Sequence, residues 1–255
     1  MAMTNEFNGF TQDSFKFFDD LAANNNTAWF QANRERYDRH VVGVFRGLLQ
    51  ALEPFLLKLN PEFETSGKTN GNFSRINRDI RFSKDKSPYK SNYYLYLFDS
   101  RHKRGDTGRF YVGLSADCVT AGFSIYGSAE SARRQKEGHA AHSALESIFR
   151  KRFSMHREIF DQVLHETVQK TRYETYWHRM EKGDWAQHAG LPKREEDWLT
   201  LQAWIVRKVY MPTARGVQTA AFTRQVESII AELYPLYVFT SDARPRWKQE
   251  LKRRI

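Results

Sequence analysis

The stretch "YYLYLFDSRHKRGDTGRFYVGLSADCVTAGFSIY", Tyr93 to Tyr126, decides the fold class. Its first six residues are aromatic and aliphatic without a break, as in a strand covered on both faces. Phe110, Val112 and Leu114, then Val119, Ala121, Phe123 and Ile125, recur at every second residue around Ser115-Ala116-Asp117. That period belongs to a pleated strand, and two such runs about a short polar turn form a hairpin. Together they predict a central antiparallel sheet. Cys118 falls on the second run, which predicts a buried, inert thiol.

To the N-terminal side the period changes to that of a helix. Thr11 is placed to cap a helix carrying Phe15, Phe18, Leu21 and Ala22, and Asn24-Asn25-Asn26 stops it. Thr27 is the expected cap of a second helix that leads through Trp29, Phe30 and Tyr37 into the stripe Val41, Val44, Phe45, Leu48, Leu49, Leu52. Pro54 is expected to kink or interrupt it. To the C-terminal side, Ser128 is the expected cap of a helix reaching Phe153, Ile159 to Leu164 suggest further turns, and Val217 to Leu233 make a last amphipathic helix. "WLTLQAWIVRKVYMP", from Trp198, fits helix or strand. Glu181 to Asp197 is the one candidate boundary and is short. The reading is a single α+β domain over residues 1–255, an antiparallel sheet flanked by N-terminal and C-terminal helices.

The chain has 255 residues, 40 basic against 30 acidic, a formal charge of +10. Such a surplus draws anionic partners, whether phosphorylated small molecules or nucleic acid. One cysteine excludes an intrachain disulfide. No apolar run approaches the roughly 20 residues of a membrane helix, and the first residues lack a basic region followed by an apolar one. A cytoplasmic location and no membrane partner are therefore expected.

Between the N-terminal helices and the sheet lies "SRINRDIRFSKDKSPYKSN", residues 74–92, after a polar loop "TSGKTNGN" that lacks the spacing of a nucleoside triphosphate loop. Arg75, Arg78, Arg81, Lys84, Lys86 and Lys90 surround only Asp79 and Asp85. Arginine offers a planar donor fork for phosphate or carboxylate and lysine a compact point charge. These six are the candidate ligand contacts, with Asp79 or Asp85 as candidate acid/base groups and Tyr89 as a supporting donor. The same interleaving of acids and bases suits a structural ion-pair clamp. A metal-dependent nuclease would use Asp79 and Asp85 as ligands, but their setting lacks the usual acid-x-lysine pattern, so no metal is expected. His139, His142 and Glu146 share a helical face and read as surface residues.

The segments "NNTAWFQANRERY" (Asn25 to Tyr37) and "RINRDIRFSKDKSPYKSN" (Arg75 to Asn92), with a weaker match at "ELYPLYVF" (Glu232 to Phe239), resemble a bacterial family with some fungal members, domain of unknown function 2461. The resemblance implies one domain over nearly the whole chain and singles out the central motif, Phe82 and Pro88 included. It implies no activity and no cofactor. Three readings stay open. The first is a basic cleft for an anionic small molecule, enzymatic or not. The second is a nucleic-acid module in which the loops 75–90 and 101–109 join Arg133, Arg134 and Lys136 in one basic surface, with Tyr93, Tyr94 and Tyr96 either stacking on bases or packed in the core. The third is a scaffold in which the motif is a clamp.

Overall fold

The computed structural model describes residues 6–81, 83–102, 107–126, 148–182 and 184–255. Phe82, Arg133, Arg134, Lys136, His139, His142, Glu146 and the helix expected from Ser128 as far as residue 147 lie outside the described residues. The architecture is α+β. Helices α1 (Gln12–Ala23), α2 (Thr27–Ala32), α3 (Arg34–Tyr37) and α4 (Val44–Leu59) come first, with a π-helical turn, Asp38–Gly43, joining α3 to α4. Strands β1 (Asn92–Leu97), β2 (Arg109–Ser115) and β3 (Val119–Tyr126) follow. Next come α5 (Phe149–Met155), α6 (Arg157–Leu164), a second π turn (His165–Gln169), β4 (Glu174–Glu181) and β5 (Asp184–Ala189). Helix α7 (Glu195–Leu199), β6 (Ala203–Tyr210), α8 (Phe222–Thr240) and α9 (Trp247–Lys252) complete the chain. The strands form one antiparallel six-stranded sheet in the order β1-β2-β3-β6-β4-β5. Contacts gather into two compact units, one of Met1–Asp99, Tyr111–Ala121 and Val209–Ser228, the other of Ser100–Phe110, Gly122–Lys208 and Ile229–Ile255.

In the first unit, Thr11 and Ser14 cap α1 reciprocally: the Ser14 amide donates to Thr11 Oγ1 at 3.3 Å, the Thr11 amide to Ser14 Oγ at 3.1 Å. The cap of α2 is Asn26, whose Oδ1 accepts from the Trp29 amide at 2.9 Å. Thr27 was the expected cap; the asparagine one residue earlier already satisfies the open amide, so Thr27 becomes the first helical residue. Pro54 does not interrupt α4, which runs through it to Leu59. Proline removes one donor, and the wholly buried Leu48, Leu52 and Leu56 on one face outweigh that loss. Residues 34–59 are long and apolar enough to cross a bilayer by length and composition alone, yet this buried stripe packs against protein.

Aromatic rings fill the core of this unit. Phe10 meets Phe45 edge-on at 5.2 Å, and Phe45 meets Tyr93 at 5.3 Å. Strand β1 buries Tyr93, Leu95 and Leu97 and leaves Tyr94 and Tyr96 half-buried, so it is covered more fully on one face than on both. The tyrosines therefore divide: Tyr93 is core, while Tyr94 and Tyr96 stack on each other at 5.7 Å. Cys118 precedes β3 instead of lying within it, and is half-buried, its Sγ 3.5 Å from Ser115 Oγ. The polar Ser115-Ala116-Asp117 turn extends one residue further than its composition suggests.

In the second unit, Phe149, Phe153, Phe160 and Phe239 surround Trp198 and Trp204, whose rings meet at 4.9 Å. The ambiguous "WLTLQAWIVRKVYMP" contributes both types of element: Trp198 ends α7 and Ala203 begins β6. The expected boundary at Glu181–Asp197 contains a strand, β5, which pairs with β4 from Tyr176↔Ala189 to Glu181↔Asp184.

Candidate anion site

The central motif folds back on itself as an irregular hairpin. The Arg78 amide donates to the Pro88 carbonyl at 2.9 Å and the Lys90 amide to the Ile76 carbonyl at 2.8 Å. Before it, the Ser74 amide donates to the Tyr94 carbonyl at 2.9 Å, which moors the motif to β1. Asn25, in the turn between α1 and α2, grips the returning arm: its Nδ2 donates to the Tyr89 carbonyl and its Oδ1 accepts from the Tyr89 amide, both at 3.0 Å. The Tyr89 ring is buried and stacked on Phe30 at 4.1 Å. The two segments Asn25–Tyr37 and Arg75–Asn92 are thus fastened together.

That clasp makes a prediction. Asn25→Ala removes two neutral hydrogen bonds across a separation of 64 residues, each worth about 1 kcal/mol net. Urea unfolding should show a loss of about 2 kcal/mol; Asn25→Asp, which keeps the acceptor alone, should recover part of it.

The charges of the motif fall into three groups. Arg81 forks onto Asp79, Nε to Oδ1 at 2.9 Å and Nη2 to Oδ2 at 2.7 Å, with both side chains exposed. Arg78 pairs with Asp85, and Lys86 Nζ donates to the Ile80 carbonyl at 3.0 Å. These contacts hold the loop. Hydrogen bonds from Arg81 lower the Asp79 pKa to about 2. Those from Ser87 first, and then Arg78, lower that of Asp85 further. Both carboxylates therefore stay ionised throughout the neutral range. Arg78 and Asp85 share a shallow concavity of about 490 Å³ with Asn25, Tyr89 and Lys90. Lys84 is exposed on the loop. Arg75 belongs elsewhere.

Arg75 lines a separate cavity of about 270 Å³ with Arg34, Asp38 and Arg46, over a floor of Tyr37 and Tyr93. Arg34, Asp38, Val42 and Arg46 are spaced by four residues. On a continuous α-helix three such steps drift by about a third of a turn; the π turn at Asp38–Gly43 takes up that excess, and all four line one cavity. Arg34 Nε is 3.0 Å from Asp38 Oδ2. Arg75 Nε donates to Asn70 Oδ1 at 2.7 Å, and Arg46 lies over the Phe73 ring at 5.6 Å. Neither Arg46 nor Arg75 has a carboxylate partner among the described residues. Three guanidinium groups against one carboxylate leave two positive charges at the rim.

The floor is neutral and rich in donors. Burial raises the pKa of Tyr93 to about 12 and that of Tyr37 further, so both hydroxyls keep their protons. They share a hydrogen bond that raises Tyr37 and lowers Tyr93, as expected when Tyr37 donates. The proton of Tyr93 is then available to an acceptor in the cavity.

Arg75 alone of the six sequence-derived ligand candidates reaches this cavity. Arg34, Arg46, Tyr37 and Tyr93 escaped the sequence reading. The four-residue spacing of the first two was a legible signal, but it aligns only if the helix contains a π turn. Tyr93 read as core, which it also is.

The family model described as "Conserved hypothetical protein (DUF2461)" matches residues 13–239. No curated protein matches the chain.

Proposed function

The chain belongs to this family of conserved hypothetical proteins, and we propose that it is a cytoplasmic protein that binds a small anionic ligand bearing phosphate or carboxylate. Arg34, Arg46 and Arg75 are its charged contacts and the Tyr93 hydroxyl a neutral donor. The observation that carries this reading is the pair of guanidinium groups, Arg46 and Arg75, that meet over a donor-lined floor without a carboxylate partner. Planar forks of this kind suit an oxyanion with several acceptor atoms. The pairs Arg81–Asp79 and Arg78–Asp85 act in this scheme as a clamp that keeps Arg75 in position. Clamp and site thus divide the motif between them.

Calorimetric titration with inorganic phosphate and pyrophosphate tests the proposal. Saturable binding is expected at one site per chain, tighter for pyrophosphate. The double variant R46E/R75E should weaken it at least tenfold, about 1.4 kcal/mol. Both side chains are exposed, so the melting temperature should stay close to that of the parent. Unchanged affinity in the folded double variant would sink the assignment.

A further inference from the structure

The second compact unit carries another concentration of positive charge, unrelated to the central motif. Two hollows adjoin there, of about 460 and 430 Å³, sharing Arg244 and Pro245 as their common wall. Lys151, Arg152 and His156 from the α5 region line the first; Arg246, Glu250 and Arg253 line the second. Five permanent cations thus face one carboxylate, and Glu250 is already engaged by Arg254 at 3.0 Å and Arg253 at 4.0 Å.

Two of the cations have structural duties. Arg152 donates to the carbonyls of Val238, Phe239 and Asp242, and Arg244 forks onto the buried Asp242. Lys151 and Arg246 have none: both are exposed and unpaired among the described residues. They lie in different hollows, so a ligand that meets both must present phosphates in succession. The local field is positive enough to act on His156. Burial, then Lys248 on α9 and Arg152 on α5, lower its pKa.

We propose that these adjoining hollows form a track for the phosphodiester backbone of single-stranded nucleic acid, with Lys151 and Arg246 as its free contacts. Backbone contacts of this type give affinity without base specificity and a strong dependence on salt. The track is independent of the cavity around Arg75, and the two can fail separately.

The test uses the full chain and a fluorescein-labelled oligothymidine of about 12 nucleotides, followed by anisotropy. The logarithm of affinity should fall linearly with the logarithm of salt concentration, by about 0.7 per phosphate neutralised. K151E/R246E should weaken binding tenfold or more and flatten that slope by about 1 per charge removed. The neutral pair K151Q/R246Q should weaken it less, which separates charge from misfolding. R46E/R75E should bind the oligonucleotide like the parent. Three results would overturn the proposal: no binding at low salt, binding undiminished in folded K151E/R246E, or complete displacement by stoichiometric pyrophosphate. The last would mark a site for a small free anion instead.

Discussion

Arg152→Ala is expected to lower the unfolding free energy by about 3–5 kcal/mol, the range for removing one partner from a buried charged network. Arg152 is only 9% exposed, and its guanidinium donates to three backbone carbonyls: Val238 at 2.7 Å, Phe239 at 2.9 Å and Asp242 at 2.6 Å. These carbonyls belong to the end of α8 and the residues just beyond it, where helical acceptors have no partner of their own and the helix dipole favours a cation. Trp247 closes over the guanidinium, with Cζ 4.1 Å from the ring centre. Burial lowers the pKa of Arg152 to about 10, still leaving it charged at neutral pH. Truncation strips the partner from three carbonyls at once. Equilibrium unfolding in urea should show a lower midpoint with an unchanged slope. Arg152→Lys should rescue only part of the loss, because an ammonium cannot reproduce the planar fork. A loss below about 1 kcal/mol for Arg152→Ala would mean that water replaces the guanidinium freely.

Gly122→Ala has the second large effect. A Cβ at residue 122, in β3, would lie 2.0 Å from the Val206 carbonyl oxygen and 2.7 Å from Arg207 Cα. Both are backbone atoms of β6, so no side chain can swing aside and the strands themselves must part. Overpacking of this kind costs about 1–3 kcal/mol when side chains absorb it, and more when backbone must move. A loss of about 3 kcal/mol or more is expected, read as a drop in melting temperature. Gly190→Ala is the control. Nothing lies within 4 Å of its Cβ, and its φ of +77° alone should cost about 1–2 kcal/mol. If the two variants melt alike, the close approach of β3 and β6 is not what requires the glycine.

Much of the candidate site was legible as chemistry but not as geometry. Six basic residues around two acids marked the motif, and the choice between anion site and clamp rested on which charges find each other. Arg81 and Asp79 are two residues apart, Arg78 and Asp85 seven, and both pairs close within the loop. Arg75 escapes because Asn70, held at φ +67°, turns its side-chain oxygen to the Arg75 guanidinium and leaves the remaining donors free for the cavity. None of this follows from composition. The residues that complete the cavity, Arg34 and Arg46, lie about 30 to 40 positions earlier in the chain.

The sequence by itself determined the class of the fold, the run of helices before and after the sheet, and the β2–β3 hairpin, because hydrophobic periodicity is a local property that burial enforces. It also determined family membership, through two long motifs. It did not reveal the β4–β5 hairpin. Its strands carry Tyr176, His178, Arg179 and Gln187 among their aromatic residues, and a half-exposed sheet surface tolerates polar side chains that a periodicity argument discounts. The tertiary structure alone decided which charges are spent on each other and which remain to meet a ligand. Electrostatic pairing depends on distances of 3–4 Å, which only the folded backbone sets.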